Sequence, residues 1–309
     1  MLLSVLSFSM INYFIKSLSL LSPYQILFFR SIPALIICIT IILKQKISFW
    51  GNQKKLLITR SIIATTSVLL YYSSIKYLPI GVAATIRYLA PIFAIFFAII
   101  ILKNKFQKVN IITIIFAFIG VTLVGSFSNN VTLIGITLIF MSAITLGASF
   151  VLVSKIGTKD SPVVIVFYFS LFSIVVSSFL SIFYWETITK QMAPSLILIG
   201  ISGFLAQYFL TKAFQTGDPK KIAPIKYFEI IVTMSFGFIF FDEQYSLLSV
   251  IGAVILIFSL SVTFLDINKD GKIDKNDLEL FYKNLDINDD GNIDFKDFLD
   301  YFKRFKIFK

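Results

Sequence analysis

The sequence predicts an all-α membrane protein of ten transmembrane helices in two five-helix inverted repeats, followed by a small α-helical pair of EF-hand-like loops. Three observations carry this reading. The 309 residues are 57% hydrophobic and only 15% charged, with a mean hydropathy of +0.87, too apolar for a water-soluble domain. The chain also aligns with itself, without gaps, at an offset of 139 residues. Finally, residues 266–309 contain two loops of oxygen-bearing side chains at regular spacing.

A spanning helix needs about 20 apolar residues. Runs of that kind lie at 1–17, 23–43, 57–77, 80–102, 108–125, 132–155, 162–184, 194–213, 222–241 and 246–265. The first begins apolar at Met1, with no basic region or small-residue cleavage site, so it is expected to be a spanning helix and not a signal peptide. Pro33 and Pro91 fall in the middle of the second and fourth runs. There each removes a backbone hydrogen bond and is expected to bend its helix, either as a hinge or simply as a tolerated kink.

The net charge of +11 divides unevenly. Residues 1–265 carry 19 basic and 6 acidic side chains, residues 266–309 carry 9 and 11. The basic residues of the first part are scattered between lipid-length runs, not gathered on one face, so nucleic acid is not an expected partner. Cytoplasmic loops collect Lys and Arg. With the N-terminus inside, thirteen cations fall on inner loops and helix ends, namely Lys44, Lys46, Lys54, Lys55, Arg60, Lys103, Lys105, Lys108, Lys155, Lys159, Lys212, Lys220 and Lys221. Only Lys16, Lys76 and Lys190 fall outside. Both termini are therefore expected in the cytoplasm, in a bacterial inner membrane.

The 139-residue offset pairs Lys16 with Lys155, Ser22-Pro23 with Ser161-Pro162, "ATIRYLA" (84–90) with "APIKYFE" (223–229) and Lys103-Asn104 with Asp242-Glu243. Because each copy holds five helices, an odd number, the second enters the membrane from the opposite side. The predicted units are repeats at 1–128 and 129–265 and a tail at 266–309. Inverted repeats suit alternating access around a site near the bilayer midplane.

The run "YYSSIKYLPIGVAATIRYLAPIFAIFFAIIILKNK" and the run "KAFQTGDPKKIAPIKYFEIIVTMSFGFIFFDE" resemble the repeat pattern of EamA-type carriers of the drug/metabolite transporter superfamily. The second is similar to the group containing bacterial S-adenosylmethionine carriers. The resemblance spans about residues 1–265 and implies a carrier, not an enzyme. One departure is Asn104, where the family commonly has an acid that the second half keeps as Glu243.

An ionisable group inside the membrane is costly and usually faces a cavity or a partner. The candidates are Arg30, Arg87, Lys226 and Glu229. Lys226 and Glu229, three apart, share a face and could simply neutralise each other. Alternatively Arg87 and Lys226, equivalent under the offset, face one cavity with Tyr88 and Tyr227 beside them. Arg87, Tyr88, Lys226, Tyr227 and Glu229 are then the candidate substrate-binding residues, suited to a zwitterionic or charged metabolite such as an amino acid or an S-adenosylmethionine-like solute. Arg30 reads more readily as snorkelling or structural. With no histidine and one cysteine, Cys38, no constellation for catalysis is present.

"DINKDGKIDKND" places Asp266, Asn268, Asp270, Lys272 through its carbonyl, Asp274 and Asp277 at the ligand positions of an EF-hand loop, with Gly271 at the turn. "DINDDGNIDFKD" repeats the pattern with Asp286, Asn288, Asp290, Asn292, Asp294 and Asp297 around Gly291. Ca²⁺ is the expected ion. Aspartate in place of glutamate at the last position resembles dockerin loops and predicts weaker affinity or some Mg²⁺ occupancy. Beyond the loops, the stripe Phe298, Leu299, Phe302 and Phe305 either lies on anionic lipid or packs on the short helix between the loops. The expected partners are a small-molecule metabolite and the lipid bilayer, and the sequence carries no signature of oligomeric state. The alternative reading is a membrane-anchored calcium sensor or scaffold without transport.

Overall fold

A computed structural model describes residues 1–74, 77–78, 80–103, 108–124, 132–242, 245–265, 276–277 and 280. Among these, the regular structure is helical throughout. The helices are α1 (Leu2–Ser17), α2 (Pro23–Lys44), α3 (Lys54–Ser74), α4 (Ile80–Arg87), α5 (Ala90–Leu102) and α6 (Lys108–Val124), then α7 (Leu133–Ile156), α8 (Pro162–Phe183), α9 (Ala193–Thr216), α10 (Pro219–Ile222), α11 (Phe228–Phe241) and α12 (Leu247–Leu265). Seven segments among the described residues are long and apolar enough to cross a membrane. Three shorter apolar helices, Leu2–Ser17, Asn110–Leu123 and Leu247–Ser259, occupy the remaining predicted runs. Large apolar side chains such as Ile36, Phe96, Ile100, Phe179, Ile182 and Phe238 are exposed on the outside. Lipid is the solvent in which such a surface is stable.

Two of the predicted runs are not continuous helices. The run 80–102 is reset at Tyr88–Leu89, between α4 and α5, and the run 222–241 passes through a 3₁₀ turn at Ala223–Tyr227 before α11 begins. Pro91 therefore does not sit mid-helix as expected. It lies in the first turn of α5, where its missing N–H costs nothing. Pro33 stays inside an unbroken α2. Its ring fills the space over Gly200 of α9, where an added Cβ would come within 2.3 Å of Pro33 Cγ.

Several local features recur at the 139-residue offset. Lys103 and Asp242 both terminate their helices in the left-handed region, at φ 56° and 51°. Their amides donate to the carbonyls of Ala98 and Gly237 respectively, themselves an equivalent pair. Ser22 and Ser161 are both extended N-cap residues preceding a proline. Packing follows the same pattern: α1 lies on α9 as α3 lies on α7, while α2 pairs with α8 and α6 with α12. Small side chains let these helices approach closely. Ser67 Oγ donates to the Ser142 carbonyl at 2.9 Å and Ser142 Oγ donates back to the Ser67 carbonyl at 2.7 Å. Ser4 Oγ donates to the Ala206 carbonyl at 2.9 Å on the other side. Between α6 and α12, Gly120 approaches the Gly252 carbonyl while Ser259 Oγ donates to the Thr113 carbonyl at 3.0 Å, two contacts that the offset interchanges.

One end of the bundle is fastened by polar groups. The buried carboxylate of Asp160, in the α7–α8 turn, accepts from the backbone amides of Asn52 and Gln53 in the α2–α3 loop. Gln53 Nε2 donates to the Ile156 carbonyl at 2.7 Å, and Gln215 at the end of α9 donates to the Asp160 carbonyl at 2.7 Å. Gly51 is required here, because its φ is +60° and an added Cβ would lie 2.7 Å from Asp160 Oδ1. Beneath this clasp, Leu57, Ile156, Val164 and Phe214 belong to one buried apolar core.

Candidate functional site

Between the helices lies a cavity of about 620 Å³ whose walls come from both halves of the chain. It runs from a floor at Arg60, Phe150, Gln207 and Leu210 to residues of the α11–α12 connection, Tyr245 and Ser246. No residue of the Asp160 clasp lines it. The broken segments border charged residues of its wall. The breaks between α4 and α5 and between the 3₁₀ turn and α11 fall beside the lining residues Arg87, Tyr88, Lys226 and Glu229.

Arg87, Tyr88, Lys226 and Glu229 all line this cavity. Lys226 and Glu229, 7% and 6% exposed, form an ion pair with one another, so the mutual-neutralisation geometry and the cavity position are both present. Asn12 of α1 donates through Nδ2 to Glu229 Oε1 at 3.2 Å, and Lys226 Nζ sits 3.7 Å above the ring of Phe8. Glu229 is thus tied to two elements at once. The Arg87 guanidinium lies 4.2 Å from the centre of the Tyr71 ring. Tyr227 does not join them. It is 2% exposed and packs in the core cluster that contains Ala90, Phe150 and Phe214. A 3₁₀ turn has three residues per turn, so Tyr227 projects about 120° away from Lys226, whereas Glu229, three residues on, returns to the same side.

Two further arginines belong to the site. Arg30 is 6% exposed, lines the cavity and packs across Gly203, where a Cβ would meet its Cγ at 2.8 Å. It is close enough to Arg87 and Glu229 to interact electrostatically with both. Arg60, counted from the sequence among the cations of inner loops and helix ends, is 1% exposed and points into the floor. Its Nη2 donates to Gln207 Oε1 at 3.2 Å and its guanidinium lies 5.2 Å from the centre of the Phe169 ring. A polar stripe would have revealed it. Arg60, Ser61, Ala64, Thr65, Ser67, Tyr71, Tyr72 and Ser74 are the small and polar residues among the buried face of α3, at helical spacing. Lys16, placed outside by the sequence reading, also lines the cavity and lies 4.2 Å from the centre of the Phe241 ring.

Cavity side chains therefore include five cations and one carboxylate. Among the described residues, Arg30, Arg60 and Arg87 have no carboxylate at salt-bridge distance, and Nη2 of Arg30, Nε and Nη1 of Arg60 and Nε of Arg87 are buried without a hydrogen-bond partner. Such an arrangement attracts anionic groups.

A family model described as "EamA-like transporter family" matches residues 1–126 and again residues 133–265. The chain belongs to the EamA-like transporter family. A Helicobacter pylori protein named as an uncharacterized transporter is 28% identical over 275 residues, covering 84% of this chain and 91% of its own. A pseudopaline exporter of Pseudomonas aeruginosa is 23% identical over 82% of this chain and 91% of its own. An S-adenosylmethionine uptake transporter of Rickettsia prowazekii is 25% identical over 58% of this chain and 61% of its own. One solved crystal structure superposes with a TM-score of 0.75 over 86% of this chain and 96% of that one, at 14% identity, and so shares the fold. The EamA-like chain is thus an integral membrane protein of a transporter family.

The predicted calcium ligands Asp266, Asn268, Asp270, Lys272, Asp274, Asp286, Asn288, Asp290, Asn292, Asp294 and Asp297 lie outside the described residues, as do Asn104, Glu243 and the stripe from Phe298. Asp277 is described and buried. No group of three or more potential metal ligands occurs among the described residues.

Proposed function

We propose that this EamA-like protein is a secondary carrier that moves a small organic solute by alternating access, through ten spanning helices in two inverted five-helix repeats, with both termini in the cytoplasm. The observation that carries this reading is the buried, charged cavity walled by both halves of the chain. An ionisable cluster held at this depth is expensive for a scaffold and useful to a carrier. The paired match of the family model, the equivalent helix breaks at Arg87 and Lys226, and the equivalent left-handed caps at Lys103 and Asp242 support the repeat. Loop cations support the orientation. The excess of cations in the cavity favours a solute bearing carboxylate, as an amino acid or S-adenosylmethionine-like molecule does, with Tyr71, Tyr72 and Tyr88 offering aromatic faces to its remainder. The exporter and uptake names of the relatives are compatible with either direction of transport. The test is uptake and efflux of labelled amino acids, nucleosides, organic acids and sulfonium compounds by reconstituted full-length protein. Absence of any solute flux in either direction, with the protein folded and inserted, would sink the carrier reading.

We further propose that the tail binds Ca²⁺ through Asp266, Asn268, Asp270, the Lys272 carbonyl, Asp274 and Asp277 and through Asp286, Asn288, Asp290, Asn292, Asp294 and Asp297. Twelve-residue spacing with glycine at the turn supports it. Because α12 ends at Leu265, immediately before the first ligand, an ion there would fix the end of that helix.

A further inference from the structure

The geometry points to an elongated solute with two separated anionic groups, one taken by Arg60 and Gln207 at the floor of the cavity and the other by Arg30 and Arg87 near its middle. The inference rests on the carrier reading and names the substrate class of that cavity. Its first support is charge. Glu229 is matched by Lys226, which leaves three guanidiniums without a carboxylate among the described residues. Two of these, Arg30 and Arg60, are buried at 6% and 1% exposure. Each still has donors aimed at no acceptor, two of them on Arg60. A buried guanidinium keeps its charge, and among the described residues no carboxylate supplies the counter-charge, so an anionic group of a solute filling the cavity would supply it.

The second support is separation. Arg87 stacks on Tyr71, near the far end of α3, while Arg60 lies eleven residues earlier on the same helix. At about 1.5 Å per residue the two anchor points are roughly 16 Å apart along the axis, which side-chain reach shortens. Arg30 and Arg87 sit with the Lys226–Glu229 pair, whereas Arg60 is held apart on Phe169 and Gln207. One carboxylate cannot satisfy both places. Between them α3 contributes only the apolar Ala64 and Val68 to the cavity wall, as suits a carbon spacer.

The experiment uses full-length protein in lipid nanodiscs, with binding measured by calorimetry and by the shift in melting temperature. The probes are straight-chain dicarboxylates of increasing length, matched monocarboxylates, zwitterionic amino acids, phosphate and chloride. A dicarboxylate of fitting length is expected to bind about 10- to 100-fold more tightly than its monocarboxylate match, the return on a second charge-assisted contact. Arg60→Gln, which puts a neutral amide beside Gln207 in place of the charged guanidinium, is expected to bring that ratio close to one, and Arg60→Lys to restore part of it. The melting temperature without ligand shows whether either variant remains folded. Equal binding of mono- and dicarboxylates by the native protein, a ratio unmoved by Arg60→Gln in folded protein, or binding of phosphate or chloride alone would each overturn the inference. Transport of a zwitterion or a monoanion with no preference for a second anionic group would overturn it while leaving the carrier reading standing. Failure of every organic solute to bind or move would remove both.

Discussion

Replacing Asp160 with asparagine exchanges one carboxylate oxygen for an NH₂ group in the clasp that joins the α7–α8 turn to the α2–α3 loop. In the native protein the two oxygens accept separately, Oδ1 from the Asn52 amide and Oδ2 from the Gln53 amide, the latter at 3.1 Å. Asparagine can satisfy only one of the two and brings its own donor against the other. A charge-assisted bond is worth about 1.5–3 kcal/mol, and a buried amide left unpaired costs a similar amount, so a net loss of about 2–3 kcal/mol is expected in the state that forms the clasp. If the clasp closes one face of the carrier in only one of its two states, that loss shifts their ratio by roughly 30- to 150-fold toward the other state. The assay is labelling of a cysteine placed at Ser149, on the cavity wall in α7, in a Cys38→Ser background with an impermeant maleimide. Vesicles of both orientations separate labelling from the clasp face and from the opposite face. Asp160→Asn is expected to raise the first and lower the second. Gly51→Ala, which drives a methyl group toward Asp160 Oδ1, is expected to act in the same direction. Identical labelling from both faces in folded native and variant proteins would show that the clasp is a static tie and that the reasoning is wrong.

Glu229→Gln and Lys226→Ala should each abolish transport by protein that still inserts, because either leaves a buried charge without its partner, a loss of about 3–5 kcal/mol for a buried pair. Wild-type flux in both variants would remove the pair from the mechanism. Gly147→Ala should lower the melting temperature, since its Cβ would come 2.8 Å from the Ala90 carbonyl and press α7 off the start of α5, at a cost of about 1–3 kcal/mol. An unchanged melting temperature would mean that the two helices separate freely. Ca²⁺ should bind the intact protein with micromolar or weaker affinity and should be lost on combining Asp266→Ala with Asp286→Ala. Calcium titration of both proteins decides this, and equal binding would place the ion elsewhere.

The apolar runs, the 139-residue offset and the resemblance carried by "ATIRYLA" and "APIKYFE" were legible in the chain because lipid length, repeat and motif are properties of residue order. The breaks at Tyr88–Leu89 and at Ala223–Tyr227 were only half legible. Pro91 announced a disturbance, but its harmless place in the first turn of α5 depends on where α4 stops. Arg60 was missed because its neighbours Lys54 and Lys55 suggest a helix end facing water. Whether a cation two turns into a helix meets water, lipid or another helix is decided by what packs against that face, and here α8 and α9 bring Phe169 and Gln207 to it. Tyr227 failed to join Lys226 for a related reason: the offset fixes which residues are equivalent, but a 3₁₀ turn in one half and an α-helix ending in the other rotate equivalent side chains differently. Order along the chain determined that charges would be buried and roughly at what depth. Only the packing of one half against the other decided which of them share a cavity and which remain without a counter-charge, because electrostatic partnership depends on distance through space and not on separation in sequence.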